Sequence, residues 1–310
     1  MNKSGLDQRI PRPDATAKAL GRSLYLTDRT FPGMLHGVIV GAPVASGRVT
    51  KLDVSRARTM PGVKAVLTHE DLGDYNRVGL IFDDQTLLVE DRIRMAGDFV
   101  VLIAADTLRH ARAAAKSVVL EIEEIPGLYD VTTALDKDAP LVHDAGNCFK
   151  EFFVKRGSFE QDVIGADIVL DEEFHIGGQE HAYLETQGST AVPQPDGSYE
   201  IYSSTQCPFY VRGRVARLLG VAHNQVRVLQ TVTGGAFGGK EDYPDEPAMC
   251  AAALSRATGR PVQVAFERPF DMQVSTKRHS MVIRHKLFAE KSGKVKGVKV
   301  EILVDSGAYA

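Results

Sequence analysis

The sequence predicts a mixed α/β (α+β) fold in two regions, and three observations carry that expectation. Short β-type runs alternate with helical runs from about residue 20 to residue 125. A Pro126-Gly127 break then opens a polar connector to about residue 150, the best boundary in the chain. Beyond it, an apolar β-type run, a loop of four glycines around one phenylalanine, and an alanine-rich helical run follow one another between Val226 and Gly259.

In order, residues 1–19 read as an arm rich in proline and charge. Leu35 to Gly41 and Val49 to Val54 read as strands joined by the turn-rich APVASGR. Next comes a short helix with Ser55 as its N-cap and Pro61-Gly62 as its stop. Val63 to Thr68 is a third strand, and HEDLGDY forms one or two helical turns. Phe99 to Ala105 is a buried strand. The helix DTLRHARAAAKS follows it, with Leu108, Ala111 and Ala115 on one face. Val118 to Ile125 alternates as a strand with one wet face. Residues 20–125 thus make one α/β module, 126–150 the connector, and 151–310 a second region.

In that second region Ala166 to Ile176 is a long strand, and GGQEHAYLETQGS brings Gln179, His181 and Glu185 close together in sequence. TAVPQPDGSYEIYSS is a hairpin turning at Pro195-Asp196-Gly197. CPFYVRGRVARLLG is a helix with Pro208 early, Gly220 at its end, and Val211, Val215 and Leu218 as its buried stripe. VRVLQTV, the glycine loop, the helix from Asp245 to Gly259 and the strand Val262 to Glu267 come next. A long hairpin, MVIRHKLFAE and KVKGVKVEILV, turns at Lys291-Ser292-Gly293. The sequence ends just after its second strand, which suggests that structure continues.

Composition narrows the function. At 310 residues the chain is long enough for two cores. Its 44% apolar and 25% charged residues are ordinary for a globular protein. A formal charge of -3 leaves no basic footprint for nucleic acid. The longest apolar run, Phe99 to Ala105, is too short to span a bilayer. The polar N-terminus has no apolar signal core, so a cytoplasmic chain is expected. Cys148, Cys207 and Cys250 lack iron–sulfur spacing and read as free, mostly buried thiols. His181 and Glu185 could share a helical face as metal ligands, but no third ligand is near. A structural or hydrogen-bonding role is favoured for them.

The most informative stretch is TVTGGAFGGKE, Thr231 to Glu241. A strand, a glycine loop and a helix start together place backbone N–H groups where an anionic ligand can sit. A tight turn packed for its own sake is the plain alternative. Gly234, Gly239 and Lys240 also fit the spacing of a phosphate-binding P-loop. The next residue is Glu241, where that motif needs a hydroxyl for Mg²⁺, so a nucleotide-binding reading is minor.

The runs GGQEHAYLETQ, TGGAFGGKE, ERPFDMQVSTKRHS and VDSGAY, in this order and at these separations, resemble the first half of a known subunit. It is the molybdenum-binding subunit of the xanthine dehydrogenase and aldehyde oxidase family, the molybdenum hydroxylases. PGMLHGVIV, MPGVKAVLT and GDFVVLIAADTLRHARAAAKSV resemble that family's α/β hammerhead domain. The resemblance implies a hammerhead domain followed by the first part of a molybdopterin-binding domain.

It further implies that the Gln179 amide hydrogen-bonds an oxo ligand of the molybdenum. Gly235, Phe237, Gly238 and Gly239 would lie against the cofactor, with the Phe237 backbone facing the metal. Glu241 would meet the substrate, its alternative being a helix-start acid. Arg278 and His279 look structural. The implied cofactor is molybdenum held by the dithiolene of a molybdopterin, in a dinucleotide form. No catalytic base is expected within the chain, because the family's base lies beyond the position matching Ala310. The implied reaction is hydroxylation of a heteroaromatic or aldehyde carbon with water as oxygen source. Electrons would leave through [2Fe-2S] clusters to FAD in partner subunits, and another chain or domain would supply the C-terminal half. The competing expectation is a truncated or split half-subunit, inactive alone.

Overall fold

A computed structural model of the protein describes residues 12–79, 82 and 84–309. Most of the arm expected for residues 1–19 lies outside the described residues; within it Ala15–Ala19 forms a short helix, α1. The first region continues with β1 (Leu35–Gly41), β2 (Gly47–Asp53), α2 (Ser55–Thr59), β3 (Val63–Leu67) and α3 (His69–Leu72). It ends with β4 (Arg92–Ile93), β5 (Phe99–Ala105), α4 (Leu108–Ala115) and β6 (Val119–Glu124). The second region holds α5 (Phe159–Asp162), β7 (Ile168–Ile176), β8 (Gly188–Pro193), β9 (Tyr199–Ser203), α6 (Pro208–Leu219) and β10 (Val226–Gln230). There follow α7 (Asp245–Thr258), β11 (Val262–Ala265), α8 (Arg268–Val274), β12 (Ser280–Ala289) and β13 (Val295–Asp305).

The two regions of the sequence are not separate in space. One seven-stranded sheet runs β10-β9-β8-β11-β1-β5-β3, so strands of both regions share a single hydrogen-bonded ladder. The joint is the parallel pair β1–β11, with Leu35 opposite Val262. Gly37 on β1 also lets α7 come close, since a Cβ there would lie 3.0 Å from the Leu254 methyl and 2.6 Å from Val264. The connector at 126–150 therefore divides the chain along the sequence and not across this sheet. Burial accounts for the difference: an all-apolar strand such as β5 needs cover on both faces, and each region supplies one layer. Leu102 and Ala104 join the core under α6 and α7. Val101 and Ile103 join the core under α2 and α4.

Local details mostly follow the sequence. Pro208 opens α6, and Gly220 ends it in left-handed backbone, φ 63°. Gly259 ends α7 the same way, φ 64°. Two expectations are corrected. Ser55 is the first residue of α2 and not its cap; its N–H is taken by the Asp53 carboxylate at 2.9 Å. On α4 the buried face is Ala111 and Ala114, with Leu108 37% exposed; the helix lies on the sheet face over β1 and β5, and its small residues let it come close. The residues RPFDMQV, left unassigned by periodicity, form α8.

Two smaller sheets complete the fold, β4-β2-β6 and β13-β12-β7. No helix among the described residues is long and apolar enough to cross a membrane.

Candidate functional site

The segment after β7 and the glycine loop after β10 pack against each other. Glu185 is the hinge of this contact. Its N–H donates to the Gly234 carbonyl at 3.0 Å. Its carboxylate accepts the Gly234 N–H at 2.7 Å, the Ser204 hydroxyl at 2.6 Å and the Leu26 N–H at 3.3 Å. Lys240 has no exposed side-chain surface, and its ammonium lies 3.2 Å from Glu185 and 2.9 Å from Ser204 Oγ. It sits 4.8 Å from the centroid of the buried Tyr183 ring. Burial pulls the Lys240 ammonium below its usual range, and Glu185 opposes that pull.

Further bonds fix the two ends of the loop. Gln206 accepts the Gly238 N–H at 3.2 Å and donates its own N–H to the Lys240 carbonyl at 2.6 Å. Gln187, fully buried, donates to the Gly239 carbonyl at 2.7 Å and to Tyr183 at 2.8 Å. Gly239 permits this approach: a Cβ there would lie 2.7 Å from His181 and from Tyr183. Asp271 on α8 takes the Gln187 N–H at 2.8 Å and Arg268 at 2.9 Å, and Arg268 donates to the carbonyls of Tyr183 and Leu184.

Two sequence readings are corrected here. Residues 181–187 are not helical, so His181 and Glu185 do not share a helix face; Glu185 turns inward to Lys240 instead. The P-loop reading fails because the Lys240 ammonium is buried and paired, and because α7 begins at Asp245, after further turn residues. The glycine loop and the segment packed on it also carry left-handed backbone at residues other than glycine. Among the described residues only Ala182 and Phe237 have left-handed backbone without being glycine, with φ 50° and 56°. One lies in each of the two packed segments. Such backbone costs a Cβ residue roughly 1–2 kcal/mol and concentrates at working sites.

The Phe237 side chain is 78% exposed, so packing does not explain its conformation. Phe237→Gly is therefore expected to leave stability unchanged or raise it by up to roughly 1 kcal/mol, glycine's backbone entropy taking back part of the relief. Urea unfolding checks this. A loss of more than about 1 kcal/mol would show that the ring packs after all.

Gln179 is exposed and held by its backbone in a bridge to Arg278, with N–H to carbonyl distances of 3.2 and 3.0 Å. Arg278 also donates to the Gly177 carbonyl, which agrees with a structural role. The neighbouring Glu180 is pushed up by burial, but Lys277 at 2.6 Å and the N–H groups of His181 and Ala182 outweigh this and hold it low. Glu241 is exposed on the far side of Lys240 in sequence.

A cavity of about 690 Å³ lies beside both segments. Its lining includes Gly178 and Asp242, the neighbours of Gln179 and Glu241, although those two residues are not part of it. Lys277 and Arg278 border it, and so do the buried acids Asp98, Asp245 and Glu246. Burial raises all three; Glu246 is pushed up to about 7. The Tyr309 hydroxyl lies 3.0 Å from Asp98.

Lys240, Ser204, Gln206 and Gln187 were not singled out as loop supports by the sequence. Apart from Gln187–Tyr183 and Ser204–Glu185, these bonds join residues 32 to 55 apart, and no local pattern marks such pairings.

Comparison with known proteins gives this arrangement its context. Residues 142–310 match the molybdopterin cofactor-binding domain family. Residues 20–136 match the a/b hammerhead domain of aldehyde oxidase and xanthine dehydrogenase. The chain is 35% identical over 299 residues to a probable xanthine dehydrogenase subunit of Bacillus subtilis, covering 96% of this chain and 40% of that one. It is 33% identical over 298 residues to the nicotinate dehydrogenase large molybdopterin subunit of Eubacterium barkeri, covering 96% of this chain and 69% of the relative. Among solved structures, aldehyde oxidoreductase from Desulfovibrio gigas superposes with a TM-score of 0.87 at 29% identity. That match takes in 95% of this chain and 34% of the other. The chain thus spans about two fifths of the length of the Bacillus relative. By these matches it belongs to the aldehyde oxidase and xanthine dehydrogenase family of molybdenum hydroxylases, as its hammerhead domain followed by molybdopterin cofactor-binding domain.

Proposed function

We propose that the chain holds part of a molybdopterin cofactor in an oxidoreductase that hydroxylates a heteroaromatic or aldehyde carbon with oxygen from water. The observation that carries this reading is the glycine loop braced on the Glu185–Lys240 pair, with the strained, exposed Phe237 at its tip. The residues present fit the cofactor chemically. At Gly238 a Cβ would meet only the His181 ring, 3.7 Å away, so the backbone there is open to a ligand, and the exposed Gln179 amide is a neutral donor suited to a terminal oxygen. When bound, the cofactor supplies the redox-active metal, held by its own sulfur ligands.

The chain's own residues then have limited and separate tasks. Gln179 donates a hydrogen bond to an oxygen of the metal centre. Gly235, Phe237, Gly238 and Gly239 present backbone to the cofactor, and Glu241 meets the substrate by hydrogen bonding. No general base belongs to this set. Residues 20–125 form the hammerhead module and 151–310 the cofactor-binding region, joined by 126–150. The whole enzyme is proposed to be cytoplasmic. Its cofactor takes a dinucleotide form, and [2Fe-2S] and FAD subunits receive the electrons. Xanthine, nicotinate and aldehydes, named for the relatives, bracket the substrate class.

In the assembled enzyme, Gln179→Ala is expected to leave molybdenum content unchanged and to lower kcat by about 10-fold or more, the scale of losing one oriented donor. Unchanged turnover would refute the role. Glu241→Ala is expected to raise KM or alter substrate preference while the metal stays bound. Loss of molybdenum in that variant would move Glu241 from the substrate to the cofactor.

A further inference from the structure

The glycine loop keeps its backbone donors for itself where it is most open. The Gly238 N–H goes to the Gln206 side chain at 3.2 Å, the Gly239 N–H to the Ala236 carbonyl at 2.9 Å, and the Lys240 N–H to Gln206 again at 3.4 Å. Gly238 is nevertheless the least crowded of the four loop glycines, with φ 93° and a single atom within 4 Å of where a Cβ would stand. That atom is Nε2 of His181, 3.7 Å away. The glycine supplies room there, and the nearest side-chain nitrogen is the histidine's.

The His181 ring is fixed from three sides. Its Cγ edge lies against Gly239, where a Cβ would come within 2.7 Å of it. The Tyr183 ring stacks on it at 21°, with 6.5 Å between centroids. Its backbone N–H is held by the Glu180 carboxylate at 3.0 Å, which also takes the Ala182 N–H and pairs with Lys277 at 2.6 Å. The two ring nitrogens differ in their surroundings. Nδ1 is buried without a hydrogen-bond partner, whereas Nε2, also unpaired among the described residues, is open to solvent. A buried nitrogen with no acceptor in reach is better left as a bare lone pair, since orphaned buried N–H groups are the rarer and costlier case. The proton is therefore assigned to Nε2.

We propose that His181 is a cofactor-contacting residue, its Nε2–H donating a hydrogen bond to an acceptor oxygen of the molybdopterin cofactor beside Gly238. Glu180 and Glu185, the acids on either side of it in sequence, are engaged by Lys277 and Lys240, so neither competes for that N–H. The inference rests on the reading of the loop as a molybdopterin site. It adds a donor at the place where the loop's own N–H groups are already spent.

The test compares the assembled enzyme with its His181→Phe and His181→Gln variants. Phenylalanine keeps a flat ring against Gly239 and Tyr183 but has no donor, and a glutamine amide nitrogen reaches the place of Nε2. Cofactor loss is followed during dialysis in dilute guanidinium, by the fluorescence of released pterin and by molybdenum content. His181→Phe is expected to lose the cofactor about 10-fold faster or more, the scale of one charge-assisted hydrogen bond. His181→Gln should recover most of that difference, while urea unfolding of the three cofactor-free chains should agree. Nitrogen-15 NMR of the parent chain is expected to show the Nε2–H form of the ring. Equal loss from parent and His181→Phe, glutamine no better than phenylalanine, a cofactor-free His181→Phe chain destabilised in step with its faster loss, or the Nδ1–H form would overturn the proposal. So would a raised KM with unchanged cofactor loss, which would place the donor on the substrate. A parent enzyme that holds no molybdopterin would overturn the proposed function together with this inference. A parent that holds it independently of His181 would overturn this inference alone.

Discussion

Lys240→Met is expected to lower the stability of the chain by about 3–5 kcal/mol, the scale of removing one partner from a buried ion pair. Methionine replaces the lysine stem in shape against the Tyr183 ring, so the lost packing is small. The loss is electrostatic. The part-buried Glu185 carboxylate stays among Gly234, Ser204 and Leu26 without the Lys240 ammonium beside it. The double variant Lys240→Met, Glu185→Gln should recover most of the loss, because the neutral amide oxygen still accepts from Gly234 and Ser204. Chemical denaturation of the single and double variants gives the coupling directly. Independent, additive losses would show that the pair does not brace the loop. Because Glu185 also holds both backbone groups of Gly234, the single variant should loosen the loop selectively. Amide exchange across residues 234–240 should rise more than across α6 or β5.

Lys240 also shows where sequence reading stops. The strand, loop and helix around it were legible because each obeys a local rule: the apolar run of β10, glycines in the loop, and alanines closed by Gly259 in α7. The same local rules aligned Lys240 with a phosphate-binding lysine. Its true partner is Glu185, 55 residues earlier, and pairing across that distance leaves no spacing signal. The shared sheet was hidden for a similar reason. Nothing in LHGVIVG or VQVAFE says that they lie side by side as β1 and β11, because parallel pairing is set by packing and not by a turn. Gln179 and Glu241 were visible through their flanking motifs, yet the buried groups that position those motifs, Gln187 and Asp271 among them, were not. The strain at Ala182 and Phe237 had no sequence mark either, since alanine and phenylalanine are not residues that favour left-handed backbone.

The second large effect is a pH dependence seated in Glu246. Burial pushes its carboxyl from 4.5 up to about 7, Asp98 and Asp242 push in the same direction, and Gln85 at 2.8 Å opposes them. The folded chain therefore keeps this proton where the unfolded chain releases it. The stabilisation is fully present below the unfolded value and is lost as pH rises through the folded one, a window from about pH 4.5 to above pH 7. A shift of this size corresponds to roughly 3 kcal/mol at most. Glu246→Gln keeps a donor and acceptor of the same shape and cannot ionise. The variant should match the parent near pH 5 and exceed it by about 1–3 kcal/mol at pH 8, in urea unfolding measured at both. Equal slopes in parent and variant would place the proton elsewhere, with Asp98 and Asp245, which burial also raises, as the next groups to exchange. These three acids border the same cavity as Gly178 and Asp242.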